Sequence, residues 1–536
     1  MKIKSATGLG AWLLPTILLI TALGQAQGVS LQPEVSYEVK RDISIPLREM
    51  AKNIGSTPGA FQTLEPVLRK HFVGNTNGPD PVVQDAYLPK AAITEGLSFD
   101  GTNATGQLGA LPPDPNGSVG STQFVEIVNI SYAVYDKMTG ALELAPTFIT
   151  TLWSGFGGLC ETNPGGDPVV LWDKLGQRWL VTQLAINSSF TQFMVCIAVS
   201  TTADATGSFA RYAYNFGDLL PDYPKYAVWP DAYYFSANEI PPVGKGGAAP
   251  CAFDRKAMLA GRKAARVCFP YSPRNFSMLP SDLDGAAPPP EGEPNHYIQL
   301  GNNTNTLDEF DFHVDFADPN NSTFTGPHKI AVPNFALLCP GPNPTPCIPE
   351  PSPGERLSSL SSYMMFRLAY RNFGDHESMV VANTVKPGPR SKATAATRWY
   401  ELRSTPPGNP FSVFQAGTFQ DDEASLFMAS IAMDKAGDIA MGLSAVSPAL
   451  KPSVWYTGRE PDDPAGNLAK PFIAVTGTAV QVNGHNRWGD YSSMSLDPDD
   501  DCTFWYTQEY YNYTIGGGAS SDWSTHVVSF KFDRCK

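Results

Sequence analysis

The sequence predicts an all-β fold of many short strands, and three observations carry that prediction. Gly at 47 and Pro at 48 of 536 residues are dense and aromatic residues reach 11%, a mixture that suits short strands joined by tight turns rather than long helices. One small unit also recurs: an apolar run, an Asp, one or more turn residues, usually a Gly, then a second apolar run. It reads Val134-Tyr135-Asp136-Lys137-Met138-Thr139-Gly140, Leu171-Trp172-Asp173-Lys174-Leu175-Gly176 and Ala432-Met433-Asp434-Lys435-Ala436-Gly437, with Leu496-Asp497-Pro498-Asp499-Asp500-Asp501 as a variant. Each copy is a hairpin signal, because Asp and Gly bend the backbone between residues that favour strands. The third observation is the alternation of short apolar runs with turn clusters from about residue 111 onward.

Taken in order, residues 1–26 read as an export signal: Lys2 and Lys4 precede an apolar stretch, followed by small residues at Ala22, Gly24 and Ala26. The apolar core is too short for a membrane span, although an N-terminal anchor is the competing reading. No other segment approaches ~18 continuous apolar residues, so the mature chain should carry no membrane span. Residues 27–110 form an N-terminal extension. Charged and apolar residues at helical spacing over 43–53 and 64–72, with Leu47, Met50 and Ile54 on one side, predict short helices there. The extension either packs against the main domain, residues 111–536, or precedes it.

Within 111–536 the stretches 123–134, 178–184, 194–199, 232–236 and 364–369 read as strands. About seven groups start near Val119, Asp167, Pro224, Asn295, Arg356, Ser425 and Asn486, at ~60 residues each against the ~40–50 of common propeller repeats. The excess fits the Pro-rich stretches 241–250, 285–294 and 339–354. Radial four-stranded sheets about a channel, a β-propeller of about seven blades, are the simplest closed solution. A two-sheet sandwich array is the competitor.

A hydrophobic fraction of 42% with 17% charged residues argues against extensive disorder. The net charge of -14 argues against a nucleic-acid partner, since phosphates would be repelled and no basic run offsets this. Eight cysteines fall into sequence-near pairs, Cys160 with Cys196, Cys251 with Cys268, Cys339 with Cys347 and Cys502 with Cys535. Disulfides are expected, although eight cysteines allow about 105 connectivities and proximity is only a guide. The absence of a CxxC pair or a Cys/His cluster leaves no metal ligand set to assign.

A second regularity concerns chemistry. Gly166-Asp167-Pro168, Pro230-Asp231-Ala232 and Gly489-Asp490-Tyr491 each place an Asp just before a strand, with Pro113-Asp114-Pro115 as a fourth instance. If these positions converge on one channel mouth, Asp167, Asp231 and Asp490 form a candidate catalytic set. One carboxyl held protonated beside an ionised one could perform acid–base work, or the group could hold Ca2+, with no cofactor required. The competing reading is that each Asp caps its own turn. Arg487 and Trp488 beside Asp490, Trp229 beside Asp231, and Arg367 and His376 in another group are candidate ligand-binding residues, a mixture suited to stacking a sugar ring and bonding its hydroxyls. HExxH, GxSxG, P-loop and CxxCH motifs are all missing from the sequence, which removes the main support for zinc protease, α/β-hydrolase, nucleotide and haem readings. Asp499, Asp500 and Asp501 resemble a calcium loop but lack its central Gly and closing Glu.

Ser495-Leu496-Asp497 followed by Thr503-Phe504-Trp505 resembles a stretched Asp-box, the Ser-x-Asp-x-Gly-x-Thr-Trp (BNR) hairpin of sialidase-like propellers, with extra acidic residues and Cys502 in place of the Gly turn. The strings 368–377, 398–403, 430–435 and 487–494 resemble an uncharacterised exported β-propeller family. That resemblance implies the fold and carries no activity. The expectation is therefore a secreted, monomeric, sialidase-like propeller that binds an extracellular glycan or protein ligand at one face of its channel. A carbohydrate-active hydrolase or lyase using paired Asp residues and a structural cell-surface module are the alternatives.

Overall fold

Strands rich in Val, Ile, Leu, Trp and Tyr pair with their neighbours in the chain, and the result is a succession of antiparallel sheets in chain order. The computed structural model describes residues 32–53, 79–104, 110–339, 346–482, 484, 486–512 and 523–536. The export signal over 1–26 and the helix expected at 64–72 lie outside the described residues. Blade 1 runs from an inner strand Asn116–Val119 through Gln123–Val128 and Ser131–Asp136 to an outer strand Leu142–Phe148. The inner strands of blades 2 to 7 are Pro164–Asp173, Leu220–Val228, Leu279–Leu283, Leu368–Asn372, Ser425–Met433 and Ser493–Leu496. Each inner strand touches the next, and that of blade 7 touches that of blade 1, so the ring closes. This is a β-propeller of seven blades.

Residues before 111 take part in the ring. Ile93–Asn103 pairs antiparallel with Trp523–Phe532 as the outer strand of blade 7, so an early segment and a late segment of the chain build the last blade together. Glu34–Tyr37 and Lys40–Ile43 add fifth strands to blades 3 and 2. A short helix, Leu47–Met50, follows and buries Leu47 and Met50, two of the residues whose spacing predicts it. The four cysteine pairs are disulfides with Cα separations of 4.0–6.2 Å. Cys502–Cys535 ties the first hairpin of blade 7 to the end of its third strand.

Both faces of a blade are covered by its neighbours. Phe193–Ser200 and Glu377–Val385 are buried at every position, which is why such strands read as unbroken apolar runs instead of alternating ones. Some boundaries differ from the sequence reading. Residues 123–134 hold two strands of a hairpin, Asn295 opens the second strand of blade 4, and Arg356–Leu357 pairs with Ile348–Pro349 outside the blades. The inner strand of blade 4, Leu-Pro-Ser-Asp-Leu, is short, half polar and interrupted by Pro, so its sequence carries little strand signal. It also pairs in parallel with the inner strand of blade 5, fastening those two blades directly.

A kink recurs where inner strands begin. Asp114, Asp167, Tyr223, Ser277 and Met428 have φ of 49–56° in blades 1, 2, 3, 4 and 6, a left-handed conformation that L-residues seldom adopt. Register slips mark bulges there in blades 2, 3 and 6, and a bulge re-aims side chains and backbone groups away from the ladder. The mouth where the inner strands begin is the upper mouth below, and the one where they end is the lower mouth.

Candidate functional site

Asp114 of blade 1, Asp167 of blade 2 and Asp490, just before blade 7, meet in one cluster at the upper mouth. They are 1%, 9% and 7% exposed. Their bonds cross between blades. Asp114 Oδ1 accepts from the Asp490 N–H (3.1 Å) and its Oδ2 from Asn129 Nδ2 (2.8 Å), whose own Oδ1 accepts from the Asp167 N–H (2.8 Å). Asp167 Oδ2 accepts from the Tyr223 N–H (3.0 Å), and the Tyr223 hydroxyl donates to the Asp490 carbonyl (3.1 Å). Arg487 donates to both oxygens of Asp490 at 2.6 and 2.7 Å. The Lys225 ammonium sits 3.5 and 3.8 Å from the ring centres of Tyr223 and Tyr491, a cation–π cage.

Burial, reinforced by the negative charges of Asp490 and Asp167, pushes the Asp114 carboxyl well above the usual carboxylate range. Burial likewise raises Asp167, to about 6, against the pull of Lys225. Burial lowers Lys225 to about 8, with Asp167, Asp114 and Asp490 working against that fall. Segment 346–366 closes this mouth: Tyr363 packs on Tyr223 and Phe276 with ring centres 4.6 and 4.9 Å apart, and Phe366 lies by Tyr491. Glu350 accepts from the Gln481 N–H and Ser358 from the Trp488 N–H, fastening the segment to the approach of blade 7.

The other sequence-predicted site residues lie apart from this cluster. Asp231 stands in the hairpin that follows the inner strand of blade 3, at the lower end, and accepts from the hydroxyl of Tyr234 in the strand that follows (3.1 Å). It precedes a second strand rather than an inner one, and alternate strands point in opposite directions, so the strand-entry pattern puts it at the wrong mouth. Trp488 is fully buried with its indole N–H on Ser444 (2.9 Å) and its ring on Tyr511. Trp229 is 1% exposed, and its edge meets Tyr370. Neither ring presents a face to solvent. His376 stacks on Phe373 in the first hairpin of blade 5 and bonds Asp375 (2.7 Å).

Arg367 belongs to the lower half of the channel. It donates to Asp282 (2.8 Å), to both oxygens of Asp284 (2.7 and 2.9 Å) and across the channel to the Met494 carbonyl (3.3 Å). Beside it Arg371 forks onto Asp501 at 2.6 and 2.8 Å. Between these pairs stands Lys174, half-buried, whose amine makes no hydrogen bond or ion pair among the described residues. Burial lowers it to about 8, with Asp284 opposing and Arg371 assisting. A recess of about 250 Å³ opens here, lined by Lys174, Gln177, Gly285, Leu496, Pro498 and Asp501, and a smaller one of about 30 Å³ continues from Lys174 past Asp284 to Arg367. In the sequence Lys174 is inconspicuous within a hairpin that punctuates the blades, and Asp282 and Asp284 stand directly before the Pro-rich stretch 285–294. Their alternation in Ser281-Asp282-Leu283-Asp284 is the signal that could have found them.

Two other charged groups resemble metal sites. Asp497 and Asp499 are bonded by Lys137 at 3.0 and 2.6 Å, and Asp500 accepts from the Cys502 and Thr503 N–H groups, so the acidic run 497–501 is held by the protein's own donors. His296 bonds Asp311 (2.8 Å) and Glu293 (3.1 Å) through its two nitrogens. Burial alone would lower it, but these carboxylates and Glu309 raise it to about 10. Both ring nitrogens are therefore engaged by carboxylates of the protein itself.

No family model matches the chain, and no curated protein matches it. Solved structures with some likeness include the WD40 domain of SCAP from fission yeast (9% identity, 77% of this chain and 82% of that one, TM-score 0.32). The endosialidase of phage phi92 (8% identity, 83% and 70%, TM-score 0.35) and an α-L-arabinofuranosidase of Fusarium graminearum (7% identity, 80% and 97%, TM-score 0.39) are two more. At these scores the assignment of the fold rests on sheet order and ring closure alone.

Proposed function

We propose that the protein is a secreted, monomeric propeller that binds a neutral, hydroxyl-rich ligand, an extracellular glycan, at the lower mouth. The observation that carries this reading is a charge-balanced polar recess with one uncommitted donor. Lys174, Arg367 and Arg371 face Asp282, Asp284 and Asp501, and all but Lys174 are locked in pairs. Balanced charge favours neither a polyanion nor a polycation. Convergent donors and acceptors beside the apolar edges of Leu496 and Pro498 suit hydroxyls on one side of a sugar and C–H groups on the other. Four disulfides agree with an oxidising compartment, and among the described residues no helix is long and apolar enough to cross a membrane.

The test is calorimetric titration of the whole chain with neutral and acidic oligosaccharides, alongside Lys174→Met. A hydrogen bond to a charged group contributes ~1.5–3 kcal/mol, so the variant should bind its neutral glycan about tenfold or more weakly. Binding confined to acidic glycans, or equal binding by the variant, would sink the reading. Hydrolysis through paired aspartates is the second reading, and what favours it is the geometry at the upper mouth, where Asp114 is bonded to the backbone of the Arg487-paired Asp490. It requires segment 346–366 to open, and sugar release from a polysaccharide panel that is abolished in Asp114→Asn is the result that would favour it. The Asp-box resemblance touches one hairpin of blade 7 and adds no activity to either reading.

A further inference from the structure

Blades 2, 6 and 7 each place an Asp where the inner strand turns into its hairpin, and in two of the three a basic side chain neutralises it. Asp173 of blade 2 is fully buried, accepts from Arg255 at 2.7 and 2.8 Å, and takes a third bond from the Tyr233 hydroxyl (2.8 Å). Asp497 of blade 7 accepts from Lys137 at 3.0 Å. Asp434 of blade 6 is also fully buried, yet its Oδ1 accepts only from the Ala436 and Asp438 N–H groups (2.8 and 2.9 Å), and its Oδ2 has no hydrogen-bond partner. Against it lies the side chain of Asp438, fully buried as well, close enough for the two carboxyls to share a hydrogen bond when one is protonated, and neither of its oxygens receives an N–H or O–H donor from another residue.

The surrounding cations are already shared or committed. Arg534 stands 3.8 Å from Asp438 Oδ1, but also 3.8 Å from Glu460 and 3.4 Å from Asp462, so one guanidinium serves three carboxylates. The Lys435 amine donates to the Asp500 carbonyl (3.0 Å), and Arg371 is forked onto Asp501. The Cys502 and Cys535 sulfurs lie within 4.8 Å of an Asp434 oxygen but are joined to each other. Three buried carboxylate oxygens therefore lie together without an N–H or O–H donor from another residue, an arrangement that is costly unless a proton shared between the two carboxyls or a bound cation offsets the charge.

We propose that Asp434 and Asp438 hold a hard divalent cation, Ca2+, in the first hairpin of blade 6. An all-oxygen, carboxylate-rich set with one carboxylate able to bind through both oxygens suits Ca2+, which accepts irregular geometry and completes its shell with backbone carbonyls and water. Softer metals would want nitrogen or sulfur. The ion's place in the fold gives it a task. The Lys435 N–H donates to the Asp501 carbonyl (3.0 Å), and Arg534 and Cys535 close over the same hairpin, so the cation would fasten blade 6, blade 7 and the last turn of the chain where the ring is completed.

The test uses the whole chain, calorimetric titration with Ca2+ alone, and thermal unfolding in Ca2+ or in EDTA. One ion should bind per chain and raise Tm by about 2–5 °C. Asp438→Asn should bind Ca2+ at least tenfold more weakly. Its Tm in EDTA should equal or exceed that of the wild type, because the amide can donate to Asp434 Oδ2 where two carboxylates faced each other. If that variant fails to fold, native mass spectrometry of the wild-type chain decides: one Ca2+ carried through buffer exchange and stripped by EDTA supports the site, and none carried through overturns it. Equal Tm in Ca2+ and EDTA without binding, or undiminished binding by Asp438→Asn, also overturns it, the first pointing to a proton shared between the two carboxyls.

Discussion

Replacing Arg367 by Met keeps most of the side-chain volume and removes the guanidinium that neutralises Asp282 and Asp284. Arg367, Asp282 and Asp284 are all 4–6% exposed, so the two carboxylates cannot turn to water. Breaking a buried pair from one side costs about 3–5 kcal/mol, because the remaining charge stays desolvated and unpaired. Unfolding entropy of ~2.1 cal/mol/K per residue over the ~430 residues of the ring gives about 0.9 kcal/mol/K, so Tm should fall by about 3–6 °C near neutral pH. The pH dependence has a definite sign. Burial raises Asp284, but Arg367 and Lys174 outweigh it and hold the carboxyl below its ordinary value, so its contribution is present above the unfolded pKa and is lost as pH falls through the folded one. Without Arg367 the burial that raises that carboxyl meets less opposition, so acid down to pH 4.5 relieves the variant, while the wild-type contribution is still fully present there and is lost only below the ordinary carboxylate value of 3.8. The gap in Tm should narrow from pH 7.5 to pH 4.5, followed by scanning calorimetry. A fall of under 1 °C, or a gap that stays constant with pH, would refute the pairing as the source of the effect.

The remaining expectations concern ring closure. Cys535→Ser opens a loop whose ends are 33 residues apart; on chain entropy it should cost about 3–4 kcal/mol, read as a Tm loss that reducing agent reproduces in part in the wild type. Asp167→Ala should be less stable than Asp167→Asn by about 1–3 kcal/mol, the cost of orphaning one buried N–H, and equal stabilities of the two would show that the Asp167 bond to Tyr223 contributes nothing.

Much of the fold is legible in the sequence. The Asp-turn hairpins, the unbroken apolar runs and the paired cysteines each arise from local chemistry: a turn that needs Asp or Gly, a strand buried on both faces, a bridge between near neighbours. What stays hidden is long-range. Ile93–Asn103 carries alternating exposed and half-buried residues and reads as part of an extension, yet its partner lies more than 400 positions away in Trp523–Phe532. The convergence of Asp167 and Asp490 is visible as a pattern before strands, but the same pattern admits Asp231, because sequence does not tell an inner strand from the one after it. Trp229 and Trp488 look like sugar platforms beside their Asp neighbours, whereas a ring packed from seven sheets takes its largest side chains for the seams between blades. Lys174 is inconspicuous because what makes it available, the commitment of every neighbouring charge to another partner, is a property of three blades at once.

The comparison of Asp167→Ala with Asp167→Asn follows from a device used more than once around the ring. At the kinks that open the inner strands of blades 2, 3 and 4 a backbone N–H leaves the ladder, and a buried N–H must find an acceptor. At blade 3 the Tyr223 N–H finds Asp167 of blade 2 (3.0 Å), at blade 2 the Asp167 N–H finds Asn129 of blade 1 (2.8 Å), and at blade 4 the Ser277 N–H finds Asn238 of blade 3 (2.8 Å). Two of these three acceptors are uncharged amides, so the bond between blades does not need a carboxylate, and an Asn at 167 can make it where an Ala cannot. The charge on Asp167 is an addition to that task, held in place by Lys225 within its cage of Tyr223 and Tyr491. Removing the charge while keeping the acceptor should therefore leave Lys225 easier to deprotonate, lower still than about 8, with only a small loss of stability. Removing the acceptor as well should loosen the seam between blades 2 and 3, and amide hydrogen exchange at Tyr223 should quicken in Asp167→Ala while staying near the wild-type rate in Asp167→Asn. Equal exchange in the two variants would mean that the N–H at the bulge is protected by burial alone.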